Sequence, residues 1–254
     1  MRTVDFSSLM FRFFQLAGLD RNAVTTPNFQ QFRDFATARV EQIWQSNEWP
    51  DVIRISDPIT VSTGGTGILT ATLPADCGEV LSVYDQDPRL TTRARLLKYF
   101  LYDNGTTQAI NMIDNVTPVY VEYRIKSPVL FGDPYSATAA YSLGAQQYFD
   151  TSSSSGSFQP TAGKVPAGNL YNCIVATTAG QSPATTPSAW SLVEIPAIFS
   201  DYVVRSCLSD FLRSEGQFEQ AIVAEREADS ALEREVDRIL RTEGQVRRPS
   251  VFTY

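Results

Sequence analysis

Three places in the chain carry residue types that could do chemistry. Gly64 to Gly67 read GGTG, a turn whose backbone N–H groups could wrap a phosphate. A phosphate cradle ends in Lys followed by Ser or Thr. Here Ile68 to Leu73 run on as an apolar segment, which predicts a hairpin turn instead. Asp85, Asp87 and Arg89 bring two carboxylates close to a guanidinium, yet Asp87-Pro88 is ordinary turn chemistry. Cys77, Cys173 and Cys207 are odd in number and far apart, so they read as buried thiols made in a reducing cytoplasm. Histidine is absent, which excludes a Ser-His-Asp triad, a Cys-His pair and any His-bearing metal site. No catalytic residue, metal ligand or cofactor is expected, and the chain does not read as an enzyme.

The remaining candidates are contact residues. Trp44 and Trp49, in WQSNEWP, either close one end of a helix pack or meet another subunit. Tyr141, Tyr148, Tyr171 and Trp190 either fill a small core or form a platform for glycan or protein docking. Glu233 and Asp237 put like charges on neighbouring helical turns. They are relieved by Arg234 and Arg238 or by basic groups of another molecule, so Arg226, Glu227, Glu233 and Arg234 join the two tryptophans as intersubunit candidates. At the far end, Arg247 and Arg248 can pair with carboxylates while Phe252 and Tyr254 can fill pockets.

The elements that must hold these residues follow from periodicity. Phe6, Leu9, Phe13 and Leu16 predict a short amphipathic helix stopped by Gly18. A second helix opens at Thr26-Pro27 and ends near Asn47, with Phe29, Phe32, Val40, Ile43 and Trp44 inward and Gln31, Arg33, Arg39 and Glu41 largely outward. From Val52 to about Lys126 short β-branched runs predict strands: a hairpin of Ile59–Val61 with Ile68–Leu73, then Val80–Tyr84 and Val119–Ile125, while Arg95–Tyr102 between them is ambiguous by pattern and leans to strand. Residues 138–195 hold three charged residues in 58, where the chain's 19% would give about 11, so they form a different structure, a small β-module with long loops. After Pro196 come a helix broken by Gly216 and another from about Gln217 to Thr242. At about 1.5 Å per residue the last is about 39 Å long and needs a long partner.

The fold class that results is α+β: an antiparallel helix bundle built from both chain ends, a β-hairpin/strand region, and an inserted small all-β module. The divisions are 1–137 (helices plus β region), 138–195 (module), 196–243 (helices completing the bundle) and 244–254 (an extended arm). The chain has 254 residues and a net charge of -7, which argues against a surface built to grip nucleic acid. Asp5 and Arg12 interrupt the apolar start, so neither a signal peptide nor a membrane segment is expected.

Three stretches, VEQIWQSNEWPDVI (Val40 to Ile53), EVLSVYDQDPR (Glu79 to Arg89) and the long run from Pro196 to Leu240, resemble the bacteriophage head-to-tail adaptor, or connector, proteins. The segment 138–195 is similar to small chitin-binding-type carbohydrate modules, with AYSLGAQQYFD, NLYNCIVATTAGQSP and SAWSLVEI in order. It departs from them by the extra stretch Thr151 to Pro166. The first resemblance implies a structural virion protein at the head–tail junction, made in the host cytoplasm, forming a twelve-copy ring. The ring would sit on the portal with its helical bundle facing it, meet tail or nozzle proteins, and pass DNA without specific binding; Arg247, Arg248, Phe252 and Tyr254 of the arm are the candidates for portal contact. The second implies a carbohydrate-binding alternative, or contact with fibres, through the module.

Overall fold

The computed structural model describes residues 2–20, 25–63, 68–103, 108–151 and 168–243. It is a mixed α+β fold, with four α-helices and mostly antiparallel strands among the described residues. In chain order these are α1 (Phe6–Leu16), α2 (Thr26–Ser46), β1 (Ile53–Ile55), β2 (Ser62–Thr63), β3 (Leu69–Thr72), β4 (Cys77–Tyr84), β5 (Tyr99–Asp103) and β6 (Gln108–Met112). They continue with β7 (Tyr120–Ile125), β8 (Asp133–Pro134), β9 (Gln146–Asp150), β10 (Gly168–Cys173), β11 (Trp190–Leu192), α3 (Ser200–Ser214) and α4 (Phe218–Glu243). The described residues fall into two compact units, one within 47–127 and the other within 2–46 and 128–243.

In the unit Asn47–Ser127, β1, β7 and β4 form one sheet and β2, β3, β6 and β5 another. Two seams join them. Past β1 the strand stays on β7, where Ser56 N–H donates to the Val121 carbonyl at 2.9 Å and Ile59 exchanges two 2.9 Å bonds with Val119. The same strand then pairs with β3 as β2. On the other side Leu97 N–H donates to the Val83 carbonyl at 2.8 Å and Tyr84 bridges Leu96, so the chain enters β5 along β4. A barrel-like wrap follows, filled by Ala71, Val83, Leu97, Ile110, Met112, Val119, Val121 and Tyr123. β7 shows why: Val119, Val121 and Tyr123 are buried while Tyr120, Glu122 and Arg124 alternate with them at half exposure. The hairpin turn expected at Gly64 to Gly67 lies outside the described residues, but the strands on either side of it do pair, Ser62 with Thr70 and Thr63 with Leu69.

The other unit packs helices against a second sheet, β11-β10-β9-β8. α1 buries Phe6, Leu9, Met10, Phe13 and Phe14; Leu16, expected with them, is exposed because the helix ends there. Its first turn is completed from β10: Asn169 Oδ1 accepts the Phe6 N–H at 2.8 Å while Asn169 Nδ2 donates to Asp5. Phe13 stacks on Phe32 of α2 and meets Phe211 of α3 edge-on. α3 and α4 are joined by Gly216, whose φ of +77° lets Gln217 N–H reach back to the Leu212 carbonyl at 2.8 Å. α4 buries Ala221, Ala224, Ala228 and Ala231, small residues that admit close approach, and leaves Leu232, Val236 and Ile239 half-buried.

Candidate functional site

The residues first singled out for chemistry are occupied in turns and packing. The Asp87 carboxylate accepts the Arg89 N–H at 2.9 Å and its guanidinium at 2.7 Å, and these bonds hold Asp87 below the usual carboxylate range. Asp85 accepts the backbone N–H of Arg95 at 2.7 Å. All three cysteines are buried free thiols; burial pushes Cys77 up to about 11 and Cys207 well above its ordinary value. Among the described residues no group of three His, Cys, Asp or Glu is placed to hold a metal.

The feature sequence reasoning missed is Arg39. Placed on the outer side of the second helix by periodicity, it is instead only 7% exposed, and the expectation is corrected. Its guanidinium forms two forks. Nε and Nη2 donate to Asp210 of α3 at 2.7 and 2.6 Å, and Nη1 and Nη2 donate to Glu225 of α4 at 2.8 and 3.0 Å. Nη1 also reaches Gln42 Oε1 at 3.2 Å. The hydrogen bonds that Arg39 donates to Asp210, with those to Glu225, raise its pKa despite burial. Burial alone would raise Glu225, but hydrogen bonds from Arg39 and Ser209 outweigh it and hold the carboxyl below its ordinary value. Five donors in a rigid plane suit this bridging in a way Lys does not. Arg33, also expected to face outward, is drawn in as well: it donates to the Phe131 carbonyl at 2.9 Å and to Asp133 at 3.0 Å. No local pattern could have signalled it, because the two carboxylates that Arg39 meets lie 171 and 186 residues away along the chain.

Beside these, Gln146 is buried with both ends of its amide used. It accepts N–H groups from Phe131 and Gly132 at 2.8 and 2.9 Å and donates to Val129 and Asn172 at 3.0 and 2.9 Å, tying the approach to β8 onto the sheet.

Of the contact candidates, Trp44 and Trp49 are 2% and 1% exposed, and Trp44 meets Phe199 edge-on, so neither indole offers surface to a second copy. Tyr148 is fully buried between Phe6 and Phe29, with ring centroids 6.1 and 5.2 Å away. Trp190 lies under Tyr141 and Tyr135, rings edge-on at 5.5 and 6.4 Å, and is 6% exposed. Tyr141 and Tyr171 are half-buried against the same cluster. The four aromatics therefore divide between a helix-facing core and a small core inside the sheet. On α4, Arg226, Glu227, Glu233 and Arg234 are exposed. Glu227 pairs with Arg205 of α3, Arg234 Nε donates to the Ser230 carbonyl at 3.2 Å, and Arg238 pairs with Glu235. Arg247, Arg248, Phe252 and Tyr254 lie outside the described residues.

Apolar side chains left in water mark a different place. Phe100, Leu101 and Tyr102 of β5 are 65%, 71% and 46% exposed, and Leu96 and Ile113 beside them are exposed as well. Phe218, Ile222 and Val223 form a second exposed group at the start of α4. No protein-family model matches the chain, and no curated protein matches it. No helix among the described residues is long and apolar enough to cross a membrane.

Proposed function

We propose that the chain is a non-enzymatic structural protein of a virion, a head-to-tail adaptor that forms a twelve-copy ring between portal and tail and continues the DNA exit channel. In this reading helices from both chain ends make one bundle, and the strand region and the 138–195 module are inserted between them. The observation that carries it is the Arg39 junction. One buried guanidinium ties α2, from the first part of the chain, to α3 and α4, from the last. The exposed charges Arg226, Glu233 and Arg234 of α4 then supply contacts between copies. A net charge of -7 suits a wall along which a duplex must slide without being held.

The module serves as a docking element for neighbouring tail parts or fibres. Burial of Tyr148 and Trp190 favours this over sugar stacking, since a sugar platform needs an open ring face. Cryo-electron microscopy of the chain mixed with assembled portal rings tests the assignment. The expected result is a twelvefold collar with α3 and α4 of every copy facing the portal. Bare portals at saturating concentration of the chain would reject it. A glycan array probed with the full chain tests the module: binding that disappears in Tyr171→Ala would replace docking by carbohydrate recognition.

A further inference from the structure

We propose that the outer face of β5 and β6 in one copy receives the first turns of α4 from a second copy; this rests on the ring reading and gives the contact that repeats around the ring. Leu97 and Tyr99 turn into the core of the strand unit, so Leu96, Lys98, Phe100 and Tyr102 share the opposite face. Ile113, paired across from Lys98 where its N–H donates to the Lys98 carbonyl at 3.4 Å, joins them. All five are exposed. One end of this apolar stripe is positive. Arg93 and Lys98 are exposed and without an ion pair among the described residues, whereas Arg95 and Arg89 are taken by Asp85 and Asp87.

The occupant is named by charge, area and spacing. α4 turns Ala221, Ala224 and Ala228 inward, so Phe218, Glu219, Ile222, Val223 and Arg226 form the opposite stripe, all exposed. Glu215 and Glu219 flank its start without an ion pair among the described residues, since the nearby Arg213 is held by Asp210 and Glu225. A cationic apolar stripe and an anionic apolar stripe on one chain attract each other and repel their own kind. Head-to-tail contact between copies is thereby selected over a two-fold one. Each stripe exposes on the order of 400 Å² of apolar surface, together about half of the roughly 1,600 Å² a stable interface buries, which is near the apolar share of such interfaces. Glu219 to Arg226 spans about 11 Å of helix and Lys98 to Tyr102 about 13 Å of strand. With Glu219 over Lys98, Arg226 therefore reaches the Tyr102 ring, on whose face a guanidinium stacks.

The test mixes two full-length chains, Thr92→Cys and Gln217→Cys, exposed positions beside the two stripes, with a short bis-maleimide in the presence of assembled portal rings; the three native thiols are buried. A control mixture replaces Thr92→Cys with Ser62→Cys, on the strand of that sheet farthest from β5. Adducts of two chains are expected at least tenfold more often with position 92 than with position 62. Lys98→Glu in both chains, or Glu219→Lys in both, should cut them at least fivefold. Lys98→Glu in the Thr92→Cys chain with Glu219→Lys in the Gln217→Cys chain should regain them, because every contact of an alternating ring then joins opposite charges. Equal yields at 92 and 62, no adduct at all, or no recovery in the mixed swap overturns the proposal. A twelvefold collar without adducts between 92 and 217 keeps the ring and overturns this contact. Adducts without a collar keep the contact and reject the ring.

Discussion

The helical unit keeps a charged guanidinium under cover, whereas the strand unit fills its interior with apolar side chains and leaves others of the same kind in water. Arg39 with Asp210 and Glu225 fixes which faces of three helices meet, because a fork of fixed geometry tolerates little rotation. The core around Ile110, Val119 and Val121 has no such directional element and is specified by alternation and closure of the two seams. One unit therefore depends on a few irreplaceable partners and the other on the sum of many exchangeable contacts.

Breaking the polar junction should have the largest effect. Arg39→Met strands Asp210 and Glu225, about four-fifths covered, and should cost about 4 kcal/mol, read as a lowered urea midpoint of the far-UV circular dichroism. Ile110→Ala in the strand unit removes a fully buried side chain and should cost about 3 kcal/mol, read as faster hydrogen exchange across β3, β6 and β5. Gly168→Ala should cost about 2 kcal/mol, since the new Cβ would sit 2.0 Å from the Tyr148 hydroxyl oxygen and must displace that ring from Phe6 and Phe29. Loss of Tyr148 fluorescence anisotropy is too diffuse a probe; the change in the Phe6 amide exchange rate reads it directly.

Acid sharpens the contrast. Glu225 has a lowered pKa in the fold, so its contribution is complete above its ordinary value of 4.5 and is lost as pH falls through the lowered one. The native chain should weaken in urea as pH falls below 4.5. Arg39→Met should reverse the sign of the Glu225 contribution over part of that range, because burial without the guanidinium raises the carboxyl instead. A variant that weakens in parallel with the native chain would place the acid response elsewhere. The smallest effect belongs to Leu101→Lys, at 71% exposure expected to change stability by less than about 0.5 kcal/mol, read as an unchanged urea midpoint.

Much of the architecture was legible because it is periodic. α1, α2, α3 and α4 begin and end within a few residues of the positions set by Gly18, Thr26-Pro27, Pro196 and Gly216, and β7 alternates as its residues do. β6 was not foreseen, since Gln108 and Asn111 dilute its apolar pattern although it lies between β3 and β5. The change of composition at residue 138 was plain, but the compact unit containing the module begins at Pro128, because Gln146, Thr37 and Arg33 draw residues 129–133 onto the sheet and α2.

From its residues alone the chain determined the α+β class, the acidic balance and the lack of any imidazole chemistry, since these are properties of counts and of spacing within one segment. Tertiary structure alone decided that Arg39 is buried, that Tyr148 faces the helices while Trp190 faces the sheet, and that β5 carries its aromatics into water. Each depends on which distant segment arrives to cover a side chain. A guanidinium on a helix has the same local pattern whether two carboxylates far along the chain come to meet it or water does.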